Sequence, residues 1–393
     1  MQNCQRSSMK EAVIIGAGRL GKGFVGETLA NSPTWKMTFI DADPVVIRKL
    51  NENGSYYVTV HREDRVENHT ISDFQAFTWE DESVNKKIIN TDLILFVIYP
   101  EKIPEAINSL IKGIKQRYIE NPEQNLSIIF LTNKNHMMND IHNWFYTHLD
   151  ETERLWFNRH IVLRDSIIRR STDAEDNTSL HIRTTAVLSL LIQKPLNVDI
   201  SDIEWLEVTD QLELLKEVKV FIVNGPHAAS AFMGYYAGYE TINQISNDPK
   251  GAAFIAAVEK EIKAGIMAQF PLTEEQLDNL SVFPTAKGNM IDYIYRVAYD
   301  PIRKLSKGDR LSGSAQICYE NNLPYHHIAK AIAYGFLYDN PSDPQAISLQ
   351  KRIQKEGLSA VIEQITGFSK NHEVYLSILK NYEHIKNHSM ASV

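Results

Sequence analysis

A lysine, an asparagine and a histidine at fixed spacing are the residues of this chain best suited to proton and oxyanion chemistry. They fall in Lys219-Val220-Phe221-Ile222-Val223-Asn224-Gly225-Pro226-His227. Oxidation of a secondary alcohol needs a base for the hydroxyl proton and donors around the oxygen where charge develops. A lysine serves as base where burial disfavours its charged form. Asn224 can donate to the oxygen, and His227 can bind a neighbouring hydroxyl. The same letters also suit a surface lysine, an asparagine capping a helix and a structural histidine, and spacing alone leaves these alternatives open.

Such chemistry needs a hydride acceptor, and the N-terminal stretch supplies a place for one. The run Val13-Ile14-Ile15-Gly16-Ala17-Gly18-Arg19-Leu20-Gly21 ends an apolar strand in a G-x-G-x-x-G turn. Gly16 permits the tight turn, Gly18 lets a pyrophosphate approach, and Gly21 lets the next helix pack on the strand. The N–H groups of that helix would hold the phosphates, beside Arg19 and Leu20. Lys36–Ile40 reads as the second strand, and Asp41 stands about twenty residues past Gly21, where an acid accepts from the adenosine ribose. A carboxylate there repels a 2′-phosphate, so the expected cofactor is NAD.

Strands alternate with helices through the first half. Leu93–Ile98 and Leu126–Leu131 are continuous apolar runs, which argues for a parallel sheet covered on both faces. Gly16, Asp41 and Asn133 fall at strand ends. From about residue 200 helical periodicity takes over: Asp248-Pro249 opens one helix, with Ile255, Val258, Ile262 and Ile266 following. The expected fold is α/β, a Rossmann-type doubly wound parallel sheet (1–195) followed by a mainly α-helical substrate and catalytic domain (196–393), with Pro195 as hinge and the intervening cleft as default site.

The whole chain fits this. Its 393 residues suffice for about two domains. The net charge is −8, and no basic tail or Lys/Arg-rich cluster suggests nucleic acid. Cys4 and Cys318 make no disulfide framework, and no run is long enough to span a membrane. We expect a cytoplasmic protein acting on a small molecule, with no membrane partner; its oligomeric state is not readable. His136 and His142, or His326-His327, lack the carboxylate or cysteine partners of a metal site, and none is expected.

G-A-G-R-L-G-K-G-F-V-G, then K-x-x-x-x-N-x-x-H, then R-x-x-x-D-x-x-x-K, in this order, resembles the polyol-specific long-chain dehydrogenases, the mannitol dehydrogenase family. The likeness runs along nearly the whole chain, through Asn51–Val58, Asn224–Ile242 with its Ala-Gly-x-x-Thr-Ile ending, Arg303–Leu311 and Asp343-Pro344-Gln345-Ala346. The length suits the shorter, phosphate-using branch. The resemblance implies a metal-free, NAD-dependent interconversion of a sugar alcohol phosphate and a ketose phosphate, such as mannitol 1-phosphate and fructose 6-phosphate. It implies Lys219 as base, Asn224 and Asn133 as oxyanion donors, His227 on the substrate, and Arg296 and Lys304 in the substrate pocket. A hexuronate reductase of the same family and a non-catalytic NAD-binding sensor are the rival readings.

Three positions depart from the family pattern. Leu131-Thr132-Asn133 lacks the usual acid before the asparagine. Arg169 replaces an acid in Ile168-Arg169-Arg170. The Phe-x-Asn-Pro segment is altered at Phe283-Pro284-Thr285. An added arginine would suit a more anionic substrate.

Overall fold

The computed structural model describes residues 9–62, 64–169, 172–185, 189–203, 205–281 and 292–389. The chain forms two compact units, the first running to Lys216 and the second starting at Glu217.

Among the described residues of the first unit, twelve strands make two sheets: β1 (Lys10–Ile15), β2 (Trp35–Asp41), β3 (Tyr56–His61), β4 (Val66–Ile71), β5 (Phe74–Thr78), β6 (Leu93–Phe96), β7 (Leu126–Phe130), β8 (Ile161–Ile168), β9 (Thr172–Asp173), β10 (His181–Thr185), β11 (Leu190–Gln193) and β12 (Leu206–Thr209). The larger sheet has the order β12-β11-β8-β7-β6-β1-β2-β5. From β5 to β8 its pairings are all parallel. Counting only those six strands in chain order gives 3-2-1-4-5-6, the Rossmann arrangement, with the order reversing between β1 and β6.

The apolar runs are buried on both faces. Along β1, Ala12 and Ile14 enter one core while Val13 and Ile15 enter the other. This two-sided burial is why the strand reads as a continuous rather than alternating apolar run. Helices Ser83–Asn90, Ile103–Glu120, Met138–Tyr146 and Glu151–His160 cover one face. The other is covered partly by the second sheet, β4-β3-β10-β9, whose Tyr56, Val58 and Ile182 join that core.

Residues 196–216 stay with this unit. β12 pairs with β11, and the Lys216 ammonium lies 2.7 Å from Asp165 Oδ1 of β8, both largely buried. Burial pushes the Asp165 carboxyl up and the Lys216 amine down, while each partner opposes the shift of the other.

The second unit is helical. Helix Asn224–Tyr236 packs against Pro249–Gln269, Ile294–Ala298 and His326–Phe336. The signal at Asp248-Pro249 is borne out: Asp248 caps the helix by accepting from Gly251 N at 2.8 Å. Glu261, buried on the same helix, accepts from His327 N and Ile328 N and so caps a second helix. Among the described residues no helix is long and apolar enough to cross a membrane.

Arg117 on helix Ile103–Glu120 is fully buried, and its two terminal nitrogens donate to the carbonyls of Ile88, Ile89, Thr91, Gln124 and Asn125. It ties the ends of two helices to the loops before β6 and β7. Arg117→Met should strand these carbonyls and lower stability by roughly 3 kcal/mol or more, read as a lower urea midpoint by circular dichroism.

Candidate active site

The glycine turn is set by sterics. Gly16 has φ +107°, and a Cβ there would sit 2.4 Å from Val97 O; a Cβ on Gly21 would sit 1.9 Å from Gly16 O. Both glycines are therefore demanded by the protein's own backbone. Gly18 differs: a Cβ there would first meet Asn177 Oδ1, at 3.5 Å. Its missing side chain keeps open the space in front of the turn, as a closely approaching pyrophosphate requires.

That space is a cavity of about 720 Å³. It is lined by Gly16, Gly18, Arg19 and Leu20 of the turn, Asp41 closing β2, Val97 after β6 and Asn133 after β7. Its position at the carboxyl ends of the strands, where their order reverses, is the general ligand crevice of such sheets. Asp41 is fixed in it: Ala17 N donates to Oδ2 at 2.7 Å and Asp43 N to Oδ1 at 2.8 Å. A carboxylate oxygen accepts more than one bond, so both retain capacity for ribose hydroxyls. Volume, glycine turn and acid all fit a dinucleotide.

The second unit presents the other candidates. Helix Leu212–Ile222 carries Lys219, half-buried, and helix Asn224–Tyr236 opens at Asn224. Pro226 has no N–H to give to Ile222 O, so the helical ladder is interrupted between Lys219 and His227. Gly225 lets this break lie against its neighbour, since a Cβ there would sit 2.8 Å from Ile262 Cδ1.

His227 has a partner that spacing did not reveal. Its Nε2 lies 2.7 Å from Asp292 Oδ2, and Arg296 donates to Asp292 Oδ1 at 2.9 Å. Burial opposes ionisation of Asp292, but His227 and Arg296 hold its carboxyl below the usual range. The backbone there is pinned, because Ile242 N donates to Asp292 O and Ile294 N to Glu240 O. Thr241, in the Ala-Gly-x-x-Thr-Ile ending, caps the adjoining helix in a reciprocal box with Gln244. That motif thus positions Asp292 on His227.

Lys304 is buried and donates from Nζ to the Tyr299 carbonyl. Burial, with Arg310 and Arg303 nearby, pushes its amine down to about 8. Arg303 and Arg310 pair with Asp300 and Asp309. Asp343 accepts from Asp300 N and Gln345 N, which accounts for the Asp-Pro-Gln-Ala stretch as a cap.

Among the described residues, Ile168 and Thr172 line the cavity and Arg169 does not. Its guanidinium pairs with Glu207 of β12 at 2.8 Å and donates to Ser189 Oγ. The expectation that it favours an anionic substrate therefore finds no support in its contacts. Arg164 likewise donates to the carbonyls of Pro195 and Leu163. Arg170 and Phe283-Pro284-Thr285 lie outside the described residues. His136 faces Glu213 and His327 faces Glu261.

A Rossmann unit with an acid after its second strand, joined to a helical unit, is the construction of a dinucleotide-linked oxidoreductase. The chain belongs to the mannitol dehydrogenase family: the Mannitol dehydrogenase Rossmann domain matches residues 10–201 and the Mannitol dehydrogenase C-terminal domain residues 211–386. It is 28% identical to the mannitol-1-phosphate 5-dehydrogenase of Thermoanaerobacter pseudethanolicus, over 96% of this chain and 98% of that one. It is 27% identical to that of Lactococcus lactis subsp. lactis, over 96% and 100%. Among solved structures, D-sorbitol dehydrogenase superposes with a TM-score of 0.78 at 12% identity, covering 96% of this chain and 94% of the other. Pseudomonas fluorescens mannitol 2-dehydrogenase, in complex with NAD and D-mannitol, gives 0.64 at 13% identity, covering 98% and 93%.

Asp292→Asn keeps the shape beside His227 but removes the charge. If the carboxylate orients His227, kcat/KM should fall about tenfold while NADH affinity, read by fluorescence titration, stays unchanged.

Proposed function

We propose that this protein oxidises a secondary alcohol of a phosphorylated hexitol to a ketose phosphate, reversibly, with mannitol 1-phosphate and fructose 6-phosphate as the pair. The observation that carries this reading is the Lys219, Asn224, His227 spacing, in a chain with relatives over nearly full length named mannitol-1-phosphate 5-dehydrogenase.

NAD, when bound, would supply the acceptor for the hydride of the carbinol carbon. Gly16, Gly18, Arg19, Leu20 and Gly21 hold its pyrophosphate, and Asp41 accepts from its adenosine ribose. Lys219, as the neutral amine, accepts the hydroxyl proton as the carbon–oxygen bond becomes a carbonyl; in reduction the ammonium returns it. Asn224 and Asn133 donate to the oxygen while charge builds on it. His227, oriented by Asp292, binds a neighbouring hydroxyl. Arg296 and Lys304 take the phosphate through charge-assisted hydrogen bonds.

An NADH-oxidation screen over ketose phosphates, free ketoses and keto-uronates tests the substrate. Fructose 6-phosphate should give the highest kcat/KM; preference for a keto-uronate would establish the rival reductase. Lys219→Ala should cut kcat at least ~10²-fold with NADH binding retained. In the parent, kcat for alcohol oxidation should rise with pH and kcat for ketose reduction should fall, because one direction needs the amine neutral and the other needs it charged. A variant turning over at the parental rate would remove Lys219 from the base role.

The acid at position 41 sets the cofactor. Asp41→Ala should bring NADPH affinity up towards that of NADH, in fluorescence titrations of both. An unchanged preference would mean that another group excludes the 2′-phosphate.

A further inference from the structure

Lys22 follows the last glycine of the phosphate turn, in the first turn of the helical run Gly21–Gly26. Its side chain belongs to none of the roles above. It is only 1% exposed, yet it is a lysine. Its Nζ donates to the Asn177 carbonyl at 2.9 Å, its only hydrogen bond from that atom among the described residues. An ammonium has three protons to give, and a single neutral acceptor leaves its burial poorly compensated.

The surroundings show where compensation can come from. Lys22 N donates to Gly18 O at 3.0 Å, so the residue is wound directly onto the turn. Asn177, whose carbonyl holds the ammonium, also places its side-chain oxygen over Gly18 and lines the cavity. The loop bearing it is fastened by a second lysine: Lys49 Nζ donates to Thr178 Oγ1 at 2.8 Å. The glycine turn thus borders the cavity, and Asn177 links it to a buried cation.

We propose that Lys22 is the counter-charge of the dinucleotide's pyrophosphate, and that binding there draws a proton onto its amine. The proposal rests on the reading of the cavity as a dinucleotide site. It needs no direct contact, because at low effective dielectric a buried charge acts over several ångströms.

The charges facing Lys22 set the direction of the effect. Burial pushes its amine down to about 8; Asp41 at the end of β2 and Asp176 of the loop oppose this, and Lys49 adds to it. Tyr56 of β3 reaches only the Lys22 carbonyl, and Glu27, further along the helical run, is paired with His69. In the empty site the amine is partly neutral at pH 8. Two added negative charges favour the ammonium, so its pKa rises on binding. Affinity is then full below pH 8 and is lost as the pH rises through the pKa of the empty site towards that of the complex. Each unit of pKa gained is a tenfold loss of affinity across that range.

The probe is ADP-ribose, which carries the pyrophosphate and both riboses but no nicotinamide, so no cationic ring acts on any other lysine. Calorimetric titration at pH 8 in two buffers of different ionisation heat reads the protons taken up. The parent protein should take up a few tenths of a proton per site, and its affinity should fall about tenfold or more between pH 7 and pH 10. Lys22→Met should bind about tenfold more weakly at pH 7, with no uptake. Lys22→Arg, charged throughout the range, should keep the affinity and lose both the uptake and the pH dependence. This second variant and the parental pH profile decide the matter if the methionine variant does not fold. Binding to the parent without proton uptake, or uptake that persists in both variants, overturns the role of Lys22 alone. Failure of the parent to bind ADP-ribose overturns the dinucleotide reading and this inference with it.

Discussion

The packing of one helix start against one strand end carries the architecture of the first unit. At Gly16 and Gly21 two backbones meet so closely that a single methyl on Gly21 would fall 1.9 Å from a carbonyl oxygen. No rotamer change relieves such a contact, because both sides are main chain. The close approach delivers the N–H groups of the helix to the crevice where the strand order reverses, and it places Ala17 N within 2.7 Å of the Asp41 carboxylate. The phosphate end and the ribose end of the crevice are therefore set by the same contact. A turn relaxed by even one side chain would displace both.

What was legible in the sequence was what local backbone geometry writes into it. The glycine spacing, the acid about twenty residues on and the two-sided apolar strands each leave a short-range signature. The helical second unit was legible for the same reason: Asp248-Pro249 and the buried Val258, Ile262 and Ile266 report a cap and a period. The pairing of the second sheet was not. β4 and β10 carry polar residues on their outer faces, as Asn68, Thr70, His181 and Arg183 illustrate. Parallel pairing of β3 with β10 also joins segments separated by most of the unit. No short window of sequence holds that pairing.

The candidate site divides along the same line. Lys219, Asn224 and His227 lie close in sequence and could be picked out together. Asp292 is 65 residues from His227, and Asn177 is 155 from Lys22. Residue type alone left the role of Arg169 open. In the folded sheet Glu207 of the edge strand pairs with its guanidinium, a partner 38 residues away that no local window shows. What an arginine does depends on where the nearest acid has been brought, and folding decides that.

Arg117 and Lys22 show how such cases can be told apart. Both are buried cations, and burial lowers the pKa of each. Arg117 gives its terminal N–H groups to five carbonyls that the fold itself leaves at helix and loop ends. Its two terminal nitrogens are answered within the chain, although among the described residues Nε is not, and its role is to hold these ends together. Among the described residues Lys22 has one neutral acceptor for three protons, beside a turn whose central glycine lines the cavity under Asn177. A buried charge answered so poorly destabilises the empty protein. Retaining it is intelligible where a ligand of opposite sign supplies the missing partner, because the strain of the empty state then becomes selectivity for that ligand. Counting acceptors around a buried cation thus separates a charge that holds the fold from one that awaits a partner.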